Sequence, residues 1–153
     1  MEWGDARALF EDARQASWEL HRHDVKYNAM EARALALGGG LASTGGRGAG
    51  IDRMRTVDAM ADYEAMMERE VARWCSIVDH AVAVLYGWDW EHGIARSLGF
   101  AYAEALDCIY IQRLSVKETG RRVHFSRPHI YRMRNKAFDY IDAIGLEAAE
   151  RGE

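Results

Sequence analysis

The chain has 153 residues, 49% of them hydrophobic, and 20 Lys and Arg against 24 Asp and Glu, for a net charge of −4. Such a length and apolar content suit one domain, or one domain with an appendage, and exclude disorder throughout. Charge interrupts the apolar residues too often for any run of about 18 to span a bilayer, and the acidic opening MEWGDARALFEDAR lacks the basic-then-apolar order of a signal peptide, so a cytoplasmic protein with no membrane partner is expected.

A single proline, Pro128, and an abundance of Ala, Glu, Arg, Leu and Met predict an all-α fold, because strands would favour more β-branched residues and more turns. Segment 1–37 reads as a long N-terminal helix from residue 2, with Leu9, Ala13, Leu20, Tyr27, Ala34 and Leu37 along one face. A second apolar line through Phe10, Ser17 and Trp18 argues for more than one packing neighbour, while Glu11, Arg14, Glu19 and Arg22 form a solvated face. Residues 38–50, GGGLASTGGRGAG, read as a flexible glycine-rich linker. Gly40 and Gly45 stand at the spacing of a phosphate-binding loop, but Gly46 occupies the lysine position and Arg47 that of the hydroxyl residue, so no nucleotide cofactor is expected.

Segment 51–94 predicts a second long helix to Tyr86 and then a turn, with Met54, Val57, Ala61, Met67, Val71, Trp74, Cys75, Val78, Val82 and Leu85 as one continuous apolar face. At about 1.5 Å per residue that helix is about 50 Å long, so it is expected to pair with the first helix or with another copy, giving a homodimer through the long helices. Cys75 and Cys108 fall within helical apolar patterns, which predicts buried thiols and no disulfide framework. Trp88 and Trp90 flank the turn, where one of them is expected to face a partner. Segment 95–145 begins with a shorter helix to Gln112, with Leu98, Tyr102, Ala105, Leu106, Ile109 and Tyr110 inward, and 146–153 reads as a tail.

The most informative stretch follows that helix. Between Arg113 and Lys136 stand eight basic residues against Glu118 alone, a balance of +7, so the rest of the chain carries about −11. Ser115 and Glu118 have capping-box spacing and start a helix. Val116, Thr119, Gly120 and Val123 would face inward and Lys117, Arg121 and Arg122 outward, with the small Gly120 admitting a second helix close by. Val123, His124 and Phe125 form a turn with Phe125 buried beneath it, and Ser126 caps a helix whose first turn tolerates Pro128. Ile130, Met133, Ala137, Ile141 and Ile144 mark its inner face, whereas Pro128, His129, Arg132, Asn135 and Lys136 lie outside with Tyr131 at the margin. That order of capping box, small residue, turn and second cap predicts a helix-turn-helix that binds duplex DNA. The bland alternative is a basic helical hairpin that solvates its charges or docks on an acidic protein.

The run from Leu106 to Ile141, LDCIYIQRLSVKETGRRVHFSRPHIYRMRNKAFDYI, resembles region 4 of bacterial sigma factors and phage regulators of the ArpU and RinA type. The matching positions are the aromatic Tyr110, the helix start Leu114 and Ser115, the turn-ending Ser126 and the late Ala137. Three positions depart: Gly120 stands for the usual alanine, Thr119 for an isoleucine, and His124 for a turn glycine that favours positive φ. The resemblance implies an all-α fold of two long helices, a glycine-rich linker and a helix-turn-helix of sigma region 4 type. It also implies a phage or prophage transcription regulator, with RNA polymerase as a further candidate partner.

From the residues themselves, His129, Arg132 and Asn135 are expected to touch bases and Lys117, Arg121, Arg122, Arg127 and Lys136 phosphates, with Ser126 and Tyr131 in the same interface. Two other classes compete: a DNA-packaging protein of the small terminase kind and a helical adaptor that binds protein only. No metal is expected, since His21 and His23 point to different sides of a helix and His80 and His92 are isolated. Asp62, Glu64, Glu68 and Glu70 alternate with Arg69 and Arg73 as on a wet helix face, and the chain is not expected to be an enzyme.

Overall fold

A computed structural model describes residues 2–39 and 47–153. The described residues are all-helical, without a strand: α1 (Ala6–Gly39), α2 (Arg47–Tyr86), α3 (Gly93–Ser97), α4 (Phe100–Leu106) running into a π-helical turn (Asp107–Ile111), α5 (Val116–Val123), α6 (Arg127–Ile144) and α7 (Leu146–Arg151). Of the expected glycine-rich linker, 40–46 lie outside the described residues, whereas 38–39 end α1 and 47–50 begin α2. No helix among the described residues is long and apolar enough to cross a membrane.

The chain divides into two compact units. Glu19 to Arg73 make one of them. Its inner positions on α1 are Leu20, His23, Tyr27, Met30, Ala34 and Leu37, spaced by threes and fours. On α2 they are Thr56, Met60, Tyr63 and Met67. The apolar face expected along α2 does not extend through this unit, because Met54 is 69% exposed and Val57 and Ala61 also face solvent. Polar and aromatic contacts stand among these apolar positions: His23 stacks on Tyr63 at 5.3 Å, Lys26 Nζ lies 4.5 Å from the centre of the same ring, and Glu64 beside Tyr27 raises its phenol pKa.

The other unit comprises the residues up to Trp18 and those from Trp74 onward. Leu9, Phe10 and Ala13 of α1, Ala81, Val84 and Leu85 of α2, Leu106 of α4 and Ile130, Ala137 and Ile141 of α6 are buried in its core. At its centre the rings of Phe10, Tyr110 and Phe138 form a triangle with centroids 5.6 to 5.7 Å apart. Of the second apolar line of α1, Phe10 is buried and Ser17 half-buried, whereas Trp18 is 47% exposed. Cys108 is buried as expected, and burial raises its thiol pKa, but Cys75 is exposed because it sits one residue off the inner line through Trp74.

The helix expected from residue 95 to 112 is two helices and a wider turn. Gly99, at φ +133, ends α3 and starts α4, a backbone value L side chains rarely adopt. After Leu106 the ladder widens, with Gln112 N–H donating to Asp107 O at 2.9 Å and Leu114 N–H to Cys108 O at 2.8 Å. Two carbonyls of this turn are met from α1: Arg14 Nη1 donates to Ile109 O at 2.7 Å and Ser17 Oγ to Ile111 O at 2.6 Å. This satisfies backbone acceptors that would otherwise be orphaned in a part-buried place, and it moors the residues leading into α5. The final segment is the short helix α7, with Ala149 buried and Tyr140 Oη donating to Glu153 O.

Candidate nucleic-acid interface

The helix pair α5 and α6 starts from local chemistry. Ser115 Oγ accepts from Glu118 N–H at 3.1 Å while Glu118 Oε2 accepts from Ser115 N–H at 2.9 Å, so both halves of the capping box are formed. Ser126 Oγ accepts from His129 N–H at 3.4 Å, and Pro128 lies in the first turn of α6, where its missing N–H costs nothing. Between the helices His124 takes the left-handed conformation, φ 63 and ψ 39. Gly120 makes the tight crossing possible: a Cβ there would stand 2.5 Å from Phe125 O, while Phe125 N–H donates back to Gly120 O at 3.0 Å.

Thr119 and Gly120 are buried in α5, and Ile130, Met133, Ala137, Phe138 and Ile141 in α6. Thr119 Oγ1 has no hydrogen-bond partner, which disfavours a buried hydroxyl. Phe125 differs from expectation: it is 38% exposed, outside the turn, with its ring 4.6 Å from that of His129.

Among the site residues read from the sequence, Lys117, Arg121 and Arg122 are exposed on α5, and Ser126, Arg127, Tyr131, Arg132, Asn135 and Lys136 on the cap and outer face of α6. His129 is half-buried against Phe125. Lys117, Arg127 and Arg132 have no ion pair or side-chain hydrogen bond among the described residues, whereas Arg122 Nη1 donates to Gln112 Oε1 at 2.7 Å. Lys136 Nζ lies 5.5 Å from the centre of the Tyr102 ring.

Two of the eight basic residues are half-buried against aromatic rings. Arg113, at φ 59, lays its guanidinium 5.3 Å from the Trp18 ring centre, and its Nε is buried without a partner. Arg134 is half-buried, 5.1 Å from the Tyr131 ring centre and bonded to Asn135 Oδ1 at 3.3 Å. It also lowers the Tyr110 pKa, although burial outweighs it and the net shift is upward. Sequence reasoning missed Gln112 and Tyr102 as neighbours of the cations, since nothing in their spacing marks them. The outer face of α6 turns acidic at the exposed Asp139, so its cationic part is confined to the stretch from Arg127 to Lys136 of a helix about 27 Å long.

No group of three or more His, Cys, Asp or Glu that could hold a metal ion occurs among the described residues. Comparison of the chain with protein-family models, curated proteins and solved structures finds no match.

Two outcomes test this geometry. Alanine at a solvated helix position stabilises by about 1 kcal/mol over glycine, yet Gly120→Ala is expected to destabilise by about 1 to 3 kcal/mol because its methyl meets a backbone carbonyl. Urea unfolding gives the sign directly. The hydrogen bond from Ser115 N–H holds the Glu118 carboxyl below its ordinary 4.5. The stability the capping box gains from ionisation is thus complete above pH 4.5 and lost as pH falls through the lower folded value. An NMR titration of the Glu118 carboxyl should show a midpoint under 4.5, and a midpoint at or above it would contradict the box.

Proposed function

We propose that the chain binds duplex DNA through α5 and α6, a helix-turn-helix with α6 in the major groove, and acts as a phage-type transcription regulator with a module like sigma factor region 4. The observation that carries this reading is the exposed outer face of α6 from Arg127 to Lys136, where Arg127, Arg132, Asn135 and Lys136 sit together while Ile130, Met133 and Ala137 hold the opposite face in the core. Arg and Asn are the side chains whose paired polar groups match guanine and adenine edges in that groove. Lys117 and Arg121, on α5, are placed to neutralise phosphates flanking the same groove.

The charge distribution favours the same reading. A module of +7 on a body of about −11 is attracted to a polyanion by one end and repelled by the rest, which orients encounter. The negative potential of Asp139 limits penetration to the amino-terminal half of α6, the part that reads bases in modules of this kind. A single module reads few base pairs, so a homodimer or a second protein such as RNA polymerase would supply the remaining specificity.

Selection of a preferred duplex from a random pool, followed by binding isotherms at several salt concentrations, tests the assignment. Arg132→Ala is expected to weaken the selected site by about 1 to 3 kcal/mol and random duplex by much less, whereas Lys117→Ala should weaken both alike and lower the salt slope by about 1. Absence of any duplex binding in dilute buffer would leave a protein-only adaptor.

A further inference from the structure

A second surface, distinct from α5 and α6, surrounds the turn between α2 and α3. Tyr86, the last residue of α2, has its ring stacked on Trp90 at 5.6 Å and 21° and tilted toward Phe100 at 6.2 Å. Trp90 is 70% exposed and Phe100 62%. Scattered exposed apolar residues are ordinary, but two large aromatics gathered on a third form the kind of patch that marks an interaction site. Trp90 holds φ 64 in the turn closed by its N–H donating to Gly87 O at 3.3 Å, which sets its ring against Tyr86.

The surroundings state what such a surface would accept. From Gly87 to Asp107 the chain carries Asp89, Glu91, Glu104 and Asp107 against Arg96 and His92, and Asp89 is already engaged by His92 Nδ1 at 2.6 Å, which leaves Glu91 and Glu104 as the open carboxylates. Tyr86 Oη donates to Asp107 Oδ2 at 2.9 Å, fixing the central ring against a carboxylate, and Glu104 lies close enough to act on the same phenol. Aromatic faces attract a cation, neighbouring carboxylates add to that attraction, and both repel a phosphate backbone.

We propose that Trp90, Tyr86 and Phe100 form a docking surface for an arginine- or lysine-bearing segment of a partner protein, with the cation seated on the rings and paired to the adjoining carboxylates. The surface is separate from the DNA-binding reading and stands whether or not that reading holds.

The test uses the full chain and a nine-residue peptide of alternating arginine and glycine, with a glutamate counterpart, followed by calorimetry and the indole N–H resonance of Trp90. The arginine peptide should bind and shift that resonance, and the glutamate peptide should not. Trp90→Ala and Phe100→Ala, both at exposed positions, should each weaken binding at least fivefold, Trp90→Phe should restore most of it, and Glu68→Gln, in the other compact unit, should leave it unchanged. Duplex affinity should not move in Trp90→Ala. Three results would overturn the proposal: no peptide binding, equal affinity with and without the aromatics, which would mean diffuse attraction to an acidic body, or conversion of an oligomer to a monomer by Trp90→Ala, which would assign the surface to a second copy.

Discussion

The approach of the Phe125 carbonyl to the Cα of Gly120 is the constraint on which the candidate interface depends. No side chain larger than hydrogen fits between them. Because the chain can turn so closely there, α6 leaves the turn with Ile130, Met133 and Ala137 directed into the core, and the periodicity of a helix then puts Arg132, Asn135 and Lys136 outside. The left-handed His124 is the cost of that turn, about 1 to 2 kcal/mol for a residue with a Cβ. The capping box at Ser115 and the cap at Ser126 offset it.

The helix pair is held from behind by two different kinds of interaction. Apolar contact comes from the triangle of Phe10, Tyr110 and Phe138, which joins α1, the π-helical turn and α6 in one unit. Direction comes from Arg14 and Ser17, whose hydrogen bonds fix the carbonyls of Ile109 and Ile111 just before the chain enters α5. A groove-reading helix needs such a rigid support, since contacts to base edges are lost with displacements of about 1 Å.

Much of this was legible in the sequence because it rests on local rules. Both caps, the small residue at 120 and the inner and outer faces of α6 follow from residue type and a 3.6-residue period, while the positive φ at 124 was implied only by the resemblance to a family with a turn glycine there. What escaped depends on the tertiary surroundings. The break at Gly99 sat inside an unbroken apolar pattern, the π-helical turn arises where α1 supplies donors, and Cys75 lies one residue off the buried line of its helix. Phe125 looked buried because it is apolar and sits in a turn, yet it is its carbonyl that faces Gly120, while the ring rests on His129 and stays exposed. The count of eight cations overstated the free surface charge in the same way, since Arg113 and Arg134 are half-buried against the rings of Trp18 and Tyr131.

The most direct measurement of the central claim is amide hydrogen exchange of the intact chain with and without excess random duplex in dilute buffer. The account predicts added protection confined to residues 115–136, strongest at the start of α6, and none between 87 and 107. Protection centred elsewhere, or an exchange pattern that duplex leaves unchanged, would contradict it.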